Sequence, residues 1–156
     1  MKKHVLVWCL FCALALTWNN AWADFYVIAA GKRAIRTILV SPKTTPAASG
    51  TALLNAIASI TDNSYDKRYL IKIEPGIYDL GTSSFNMKPY VDVEGSGEGV
   101  TIIQGTVDSY YSSFYEGGVI NGWSDSELRF LTVGNNRASG RTIALYNNNG
   151  TTGTFK

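Results

Sequence analysis

From residue 69 onward, apolar and polar side chains alternate in short runs, each closed by Gly or Asn. In the first run Tyr69, Ile71 and Ile73 alternate with Leu70, Lys72 and Glu74; in the next, Val91 and Val93 alternate with Asp92 and Glu94. A period of two is the pattern of a strand with one face buried. Further runs at 100–104, 119–121, 128–133 and 142–146 carry inward faces rich in Val, Ile and Leu. One stretch has a helical period instead. Ser49, Gly50 and Thr51 offer capping, and Ala52, Leu53, Leu54, Ala56, Ile57, Ala58 and Ile60 recur at three and four. Residues 41–46 precede it as a loop, because Pro42 and Pro46 lack amide donors. Residues 61–64 close it.

The spacing of the runs carries the architecture. Ile71 to Val91 and Ile73 to Val93 are both 20 residues. One strand per repeat, with Gly or Asn at the corners, predicts stacked coils in preference to a sandwich of hairpins. The sandwich needs two-residue turns between strong strands, and Asn121-Gly122 and Asn149-Gly150 are the candidates.

The first residues follow another grammar: Lys2 and Lys3, an apolar run over 5–16, and a polar stretch ending Ala21-Trp22-Ala23. This is the order of a secretory signal peptide over residues 1–23. The run falls short of the roughly 20 residues a membrane anchor needs. The organisation expected is a signal at 1–23, an N-terminal strand and loop at 24–48, and coils over 49–156. The exported chain is then secreted to the periplasm or the extracellular space.

Removing the signal changes the available chemistry. Cys9, Cys12 and His4 all lie within it. The remaining chain has no Cys or His nucleophile, no Ser-His-Asp triad, no usual zinc site and no disulfide. Of 14 Lys and Arg, two leave with the signal, so 12 face 12 Asp and Glu. A neutral surface exerts no broad pull on nucleic acid or anionic lipid. No cofactor is expected.

Three stretches now carry a family likeness: Ile73-Glu74-Pro75-Gly76-Ile77-Tyr78, Val93-Glu94-Gly95-Ser96-Gly97, and Val100-Thr101-Ile102-Ile103-Gln104-Gly105. They resemble the early coils of pectinesterases and other pectin-lyase-like right-handed parallel β-helices. The segment from Leu128 to Asn136 is similar to the family's Leu-Thr-Ile-x-Asn strand. Arg141-Thr142-Ile143-Ala144-Leu145 resembles its Gln-Ala-Val-Ala-Leu run, with Arg141 in place of a functional Gln. The resemblance implies an all-β, right-handed parallel β-helix, short and open at its C-terminal end, with a capping helix near its start. It implies no catalytic residue here. The family's two aspartates and arginine fall on later coils, and Lys156 precedes them.

Candidate sites stand beside plainer readings. Asp92 and Glu94, spaced to share one strand face, suit calcium or acid–base work. The solvated face of a strand is favoured for them, as for Glu98, Asp125 and Glu127. Gly95-Ser96-Gly97-Glu98-Gly99 leads into a strand, not a helix, so it reads as a corner and not a phosphate loop. Tyr110, Tyr111, Phe114 and Tyr115, with Trp123, are the densest aromatic stretch and the candidate sugar-binding residues; rings folded back over the wall are the alternative. Asn147, Asn148 and Asn149 predict an amide ladder at a corner. Asn149-Gly150-Thr151 also matches a glycosylation acceptor.

The reading that results is a secreted β-helix module, non-catalytic as it stands, that binds polysaccharide or acts at the cell surface. It has no nucleic-acid partner and no stable membrane anchor, and its open last coil favours self-association. The alternatives are a truncated pectinesterase or polysaccharide lyase acting on pectin-like polymers, and a structural or adhesive extracellular protein.

Overall fold

The computed structural model describes residues 25–30, 33–111, 114–115 and 117–147, of which 25–30, 33–34, 110–111 and 114–115 are described by backbone alone. The predicted signal at 1–23 lies outside these residues, as do Asn148 and the acceptor at Asn149.

The N-terminal region holds two strands where the sequence predicts one. β1 (Phe25–Ala30) pairs antiparallel with β2 (Arg33–Val40). A single helix follows, α1 (Pro46–Ser59), capped by Thr45, whose Oγ1 accepts from Ala48 N at 3.2 Å. The helix therefore starts three residues before Ser49. Pro46 belongs to its first turn, not to the preceding loop, because an amide there has no intrahelical acceptor to lose. Ser49, Gly50, Leu53 and Ile57 form its buried stripe, three and four residues apart.

After α1 the chain is built of short strands: β3 (Tyr69–Ile73), β4 (Gly76–Asp79), β5 (Phe85–Asn86), β6 (Val91–Glu94) and β7 (Thr101–Gly105). The hairpin β8 (Tyr110–Tyr111) and β9 (Phe114–Tyr115) comes next. Then follow β10 (Ile120–Asn121), β11 (Leu128–Arg129), β12 (Thr132–Asn135) and β13 (Leu145–Tyr146).

Apart from the antiparallel β8–β9 pair, these strands form three sheets built on parallel pairing. The first runs β1-β2-β3-β6-β11, parallel except for β1; the second β4-β7-β12; the third β5-β10-β13. The described residues are thus β-rich and parallel, with one helix among them. Tyr69 faces Val91 and Ile71 faces Val93, an offset of 22 residues where the sequence spacing predicts 20. The run over 128–133 is broken at Phe130, whose φ of 56° ends β11 and turns the chain into β12. The expected strand at 142–146 is paired only at Leu145–Tyr146.

One hydrophobic cluster draws on all three sheets. Ile71, Ile73, Val91 and Val93 come from the first, Tyr78 and Ile103 from the second, Phe85 and Ile120 from the third, all fully buried. Each such side chain contributes roughly 1.5–3 kcal/mol by leaving water, so the shared interior dominates the stability of strands too short to hold together alone. Helix α1 packs on β4, the edge strand of the second sheet. A Cβ at Gly50 would overlap the Asp79 carbonyl, which is why the helix approaches so closely.

Candidate functional site

Asp92 and Glu94 project from the outer face of β6, as alternation predicts, but they are not a freely solvated pair. Their side chains are only 19% and 17% exposed. Lys72 of β3 donates to Glu94 Oε1 at 2.7 Å, and Arg129 of β11 donates to Oε2 through Nε at 3.0 Å and Nη2 at 2.8 Å. Arg129 also reaches Glu127 Oε2 at 2.9 Å. Asp92 accepts from the Glu127 amide at 3.0 Å and faces Arg68 Nη2 at 3.6 Å. Lys72, and after it Arg129, hold the Glu94 carboxyl below the usual carboxylate range, and Glu94 raises Arg129 in turn. A carboxylate kept ionised between two cations is poorly suited to deliver a proton. Among the described residues no group of three or more His, Cys, Asp or Glu is placed to hold a metal.

The glycine segment joins β6 to β7 as a corner. Ser96 Oγ donates to Ile73 O at 2.9 Å in one neighbouring layer, while a Cβ at Gly95 would overlap Phe130 O in the other. Gly99 has φ 72°, open to glycine at no steric cost. The segment binds layers together and leads into a strand.

The aromatic stretch forms the β8–β9 hairpin, in which Tyr110 faces Tyr115 and Tyr111 faces Phe114. The side chains of these four residues lie outside the description. Trp123 is half exposed. The hairpin precedes β10 and Trp123 follows it, so the two lie at opposite ends of one strand. Amide pairs join adjacent layers elsewhere: Asn121 Nδ2 donates to Asn86 Oδ1 at 2.6 Å, and Asn136 Nδ2 to Gln104 Oε1 at 3.2 Å. Asn147 is exposed; the rest of its run lies outside the described residues.

Sequence reading passed over a polar and aromatic assembly at the corner leading into the first sheet. The Tyr65 and Tyr90 rings meet edge to face at 6.3 Å, and the Arg68 guanidinium sits 5.7 Å from the Tyr90 ring centre. Beside them Asp62 accepts from Tyr69 Oη, from Lys67 at 3.2 Å and from Arg36 at 2.9 Å. Those three donors, Tyr69 first, hold the Asp62 carboxyl well below the usual range. Tyr65 and Tyr90 lie just outside the alternating runs, so periodicity alone gives them no role. Their one sequence signal is position, each shortly before a strand of the same sheet.

Comparison of the chain with protein-family models, with curated proteins and with solved structures finds no match in any of the three.

Proposed function

We propose that this chain is an exported right-handed parallel β-helix module that binds polysaccharide without turning it over. The observation that carries the reading is the rotation of strands through the three sheets. β3, β4 and β5 are followed by β6, β7 and β10, and then by β11, β12 and β13, each pairing in parallel with the strand in the same place one circuit earlier. Stacked circuits make a rigid wall, and such walls hold side chains at fixed intervals. The resemblance of residues 73–105 to early pectinesterase coils supports the same architecture. Export rests on the three-part leader at 1–23, and none of the helices among the described residues is long and apolar enough to cross a membrane.

Sugar binding is supported by ring-bearing segments at the corners of that wall. The tyrosine-rich hairpin with Tyr110, Tyr111 and Tyr115 leaves one end of β10, and half-exposed Trp123 leaves the other. Planar rings with polar edges suit the apolar faces of sugars. Binding without turnover is supported by carboxylates on β6 already committed to cations.

Affinity electrophoresis of the chain through gels carrying different polysaccharides tests this reading, with product analysis of the same mixtures. Retardation without released methanol or unsaturated sugar is the expected result. Released product establishes an enzyme instead, and free migration in every gel removes the binding function.

A further inference from the structure

The corner entering the first sheet carries rings that the hairpin does not supply. Tyr65 sits in a turn ahead of β3, closed by bonds between Ser64 and Lys67 at 3.1 and 3.0 Å. Tyr90 immediately precedes β6, and Trp123 precedes β11. Backbone bonds stack these connections. Tyr69 N donates to Tyr90 O, and Tyr90 N to Asp125 O, both at 3.0 Å. The aromatic positions therefore belong to successive layers about 4.8 Å apart, close to the length that one sugar unit adds to a glycan. Tyr65 is 54% exposed and Trp123 50%.

The corner is also conformationally costly. Tyr90 and Asp125 both hold left-handed backbone, with φ 62° and 56°, at positions bonded across adjacent layers. Such strain persists where surrounding structure demands it, and it concentrates at binding sites.

Charge selects the class of sugar. Asp62 is shared by Lys67 at 3.2 Å and Arg36 at 2.9 Å, Arg68 faces Asp92 at 3.6 Å, and Lys88 Nζ donates to the Ile60 carbonyl. Among the described residues, the Asp66 and Asp125 carboxylates have no hydrogen-bond or ion-pair partner. Arg36, Lys67, Arg68 and Lys88 thus stand against Asp62, Asp66, Asp92 and Asp125, so the corner is close to neutral and rich in acceptors. A polyanion meets no net positive charge there, whereas a neutral sugar offers hydroxyl donors to the carboxylates and apolar ring faces to the tyrosines.

We propose that Tyr65, Tyr90 and Trp123, with Asp66 and Asp125 accepting from hydroxyls, form a binding site for a neutral hexose polysaccharide lying across the layers. This inference rests on the polysaccharide-binding reading and extends the site from the hairpin and Trp123 to this corner. Isothermal titration of the full chain with cellohexaose, mannohexaose and galactohexaose, and with a hexamer of galacturonate, tests it. Three variants are compared: Tyr65→Ala, Trp123→Ala, and the hairpin triple Tyr110→Ala/Tyr111→Ala/Tyr115→Ala, each checked for an unchanged melting transition. The expected result is binding of at least one neutral hexamer, weakened roughly tenfold by Tyr65→Ala or Trp123→Ala. Binding lost in the hairpin triple but intact in Tyr65→Ala overturns the corner site and leaves polysaccharide binding standing. Preference for the galacturonate hexamer overturns the charge argument and the site with it. No heat with any sugar overturns both readings together.

Discussion

Arg129 donates through two nitrogens to a single oxygen of Glu94, the residue facing it on β6, at 3.0 and 2.8 Å. Lys72 faces Glu94 from the other side and takes the remaining oxygen at 2.7 Å. One carboxylate thus joins three strands of the first sheet. Replacing Glu94 by Gln keeps its shape and removes its charge, while Lys72 stays half in water and Arg129 keeps Glu127. The loss should then be about 1–2 kcal/mol, the range of charge-assisted bonds near a surface, and well under the 3–5 kcal/mol of a buried pair broken on one side. Urea unfolding of Glu94→Gln should show a lower midpoint with an unchanged slope. An unchanged midpoint would mean that the column adds nothing to stability.

Acid should act on the same groups. Lys72 first and then Arg129 depress Glu94, and Tyr69, Lys67 and Arg36 in that order depress Asp62. A carboxyl with a folded pKa below its unfolded value stabilises the fold above the unfolded value, and that contribution is lost as pH falls through the folded value. Stability should therefore stay level from neutral pH to about pH 5, decline through the ordinary carboxylate range near 4, and go on declining below it. Unfolding midpoints measured from pH 7 to pH 2 check the shape. Glu94→Gln and Asp62→Asn should each make the acid limb shallower, and parallel limbs in variant and parent would refute the assignment.

The two central strands were legible because burial at Tyr69, Ile71 and Ile73, and at Val91 and Val93, imprints a period of two on the sequence. Their register was not. A slip of two residues leaves every side chain on its own face, so an offset of 20 and one of 22 read alike. The partners of Glu94 were hidden for a related reason: Lys72 and Arg129 lie 22 and 35 residues away, and only the stacking of layers brings them together. Pro46 misled because proline is excluded inside a helix yet fits its first turn. Left-handed backbone at Tyr90 and Phe130 has no signature in those residue types, whereas Asp125 is of a type that tolerates it.

Gly50 sets two effects against each other. Alanine in the middle of a helix is favoured over glycine by about 1 kcal/mol, but at this position the added methyl would strike the Asp79 carbonyl. Backbone cannot yield as a flexible side chain does, and overpacking costs typically 1–3 kcal/mol or more. Gly50→Ala should therefore lower stability on balance by about 1–2 kcal/mol. Gly134, on β12, supplies the control: its added methyl would meet nothing closer than Asn136 Oδ1 at 3.7 Å. Gly134→Ala should be neutral or slightly stabilising. Thermal melts of both variants make the comparison, and equal effects would show that α1 can shift away from β4.

Tyr78 is fully buried and donates to two carbonyls, Val40 O at 3.1 Å and Glu74 O at 3.0 Å. Burial first, and then the charge of Glu74, pushes its pKa up to about 12. An unfolded tyrosine ionises near 10. The folded value is raised, so this side chain's contribution is complete below pH 10 and is lost as pH climbs from there to about 12. Tyr78→Phe should cost about 1 kcal/mol at neutral pH, because the hydroxyl's bonds are lost while Val40 O keeps Glu74 N and Glu74 O keeps Thr101 Oγ1. It should also make the alkaline decline between pH 10 and 12 less steep. Urea midpoints at pH 8 and pH 11 separate the two effects; an identical alkaline drop in both proteins would place the titration elsewhere.

Phe130 makes the opposite case, a residue whose replacement should help. Its φ of 56° is left-handed, and its ring is 64% exposed. Left-handed backbone costs a residue with a Cβ about 1–2 kcal/mol, a cost glycine escapes. Glycine also gives up what little apolar burial the exposed ring retains and frees the unfolded chain, which offsets part of the gain. Phe130→Gly should raise stability by about 0.5–1 kcal/mol, while Phe130→Ala, with strain retained and ring lost, should lower it slightly. The backbone bond from Gly97 N to Phe130 O at 2.8 Å needs no side chain and persists in both variants. A ranking of Gly above Phe above Ala in urea midpoint is the outcome that strain predicts. Phe above Gly would mean that the exposed ring earns its place through a contact stronger than the strain it imposes.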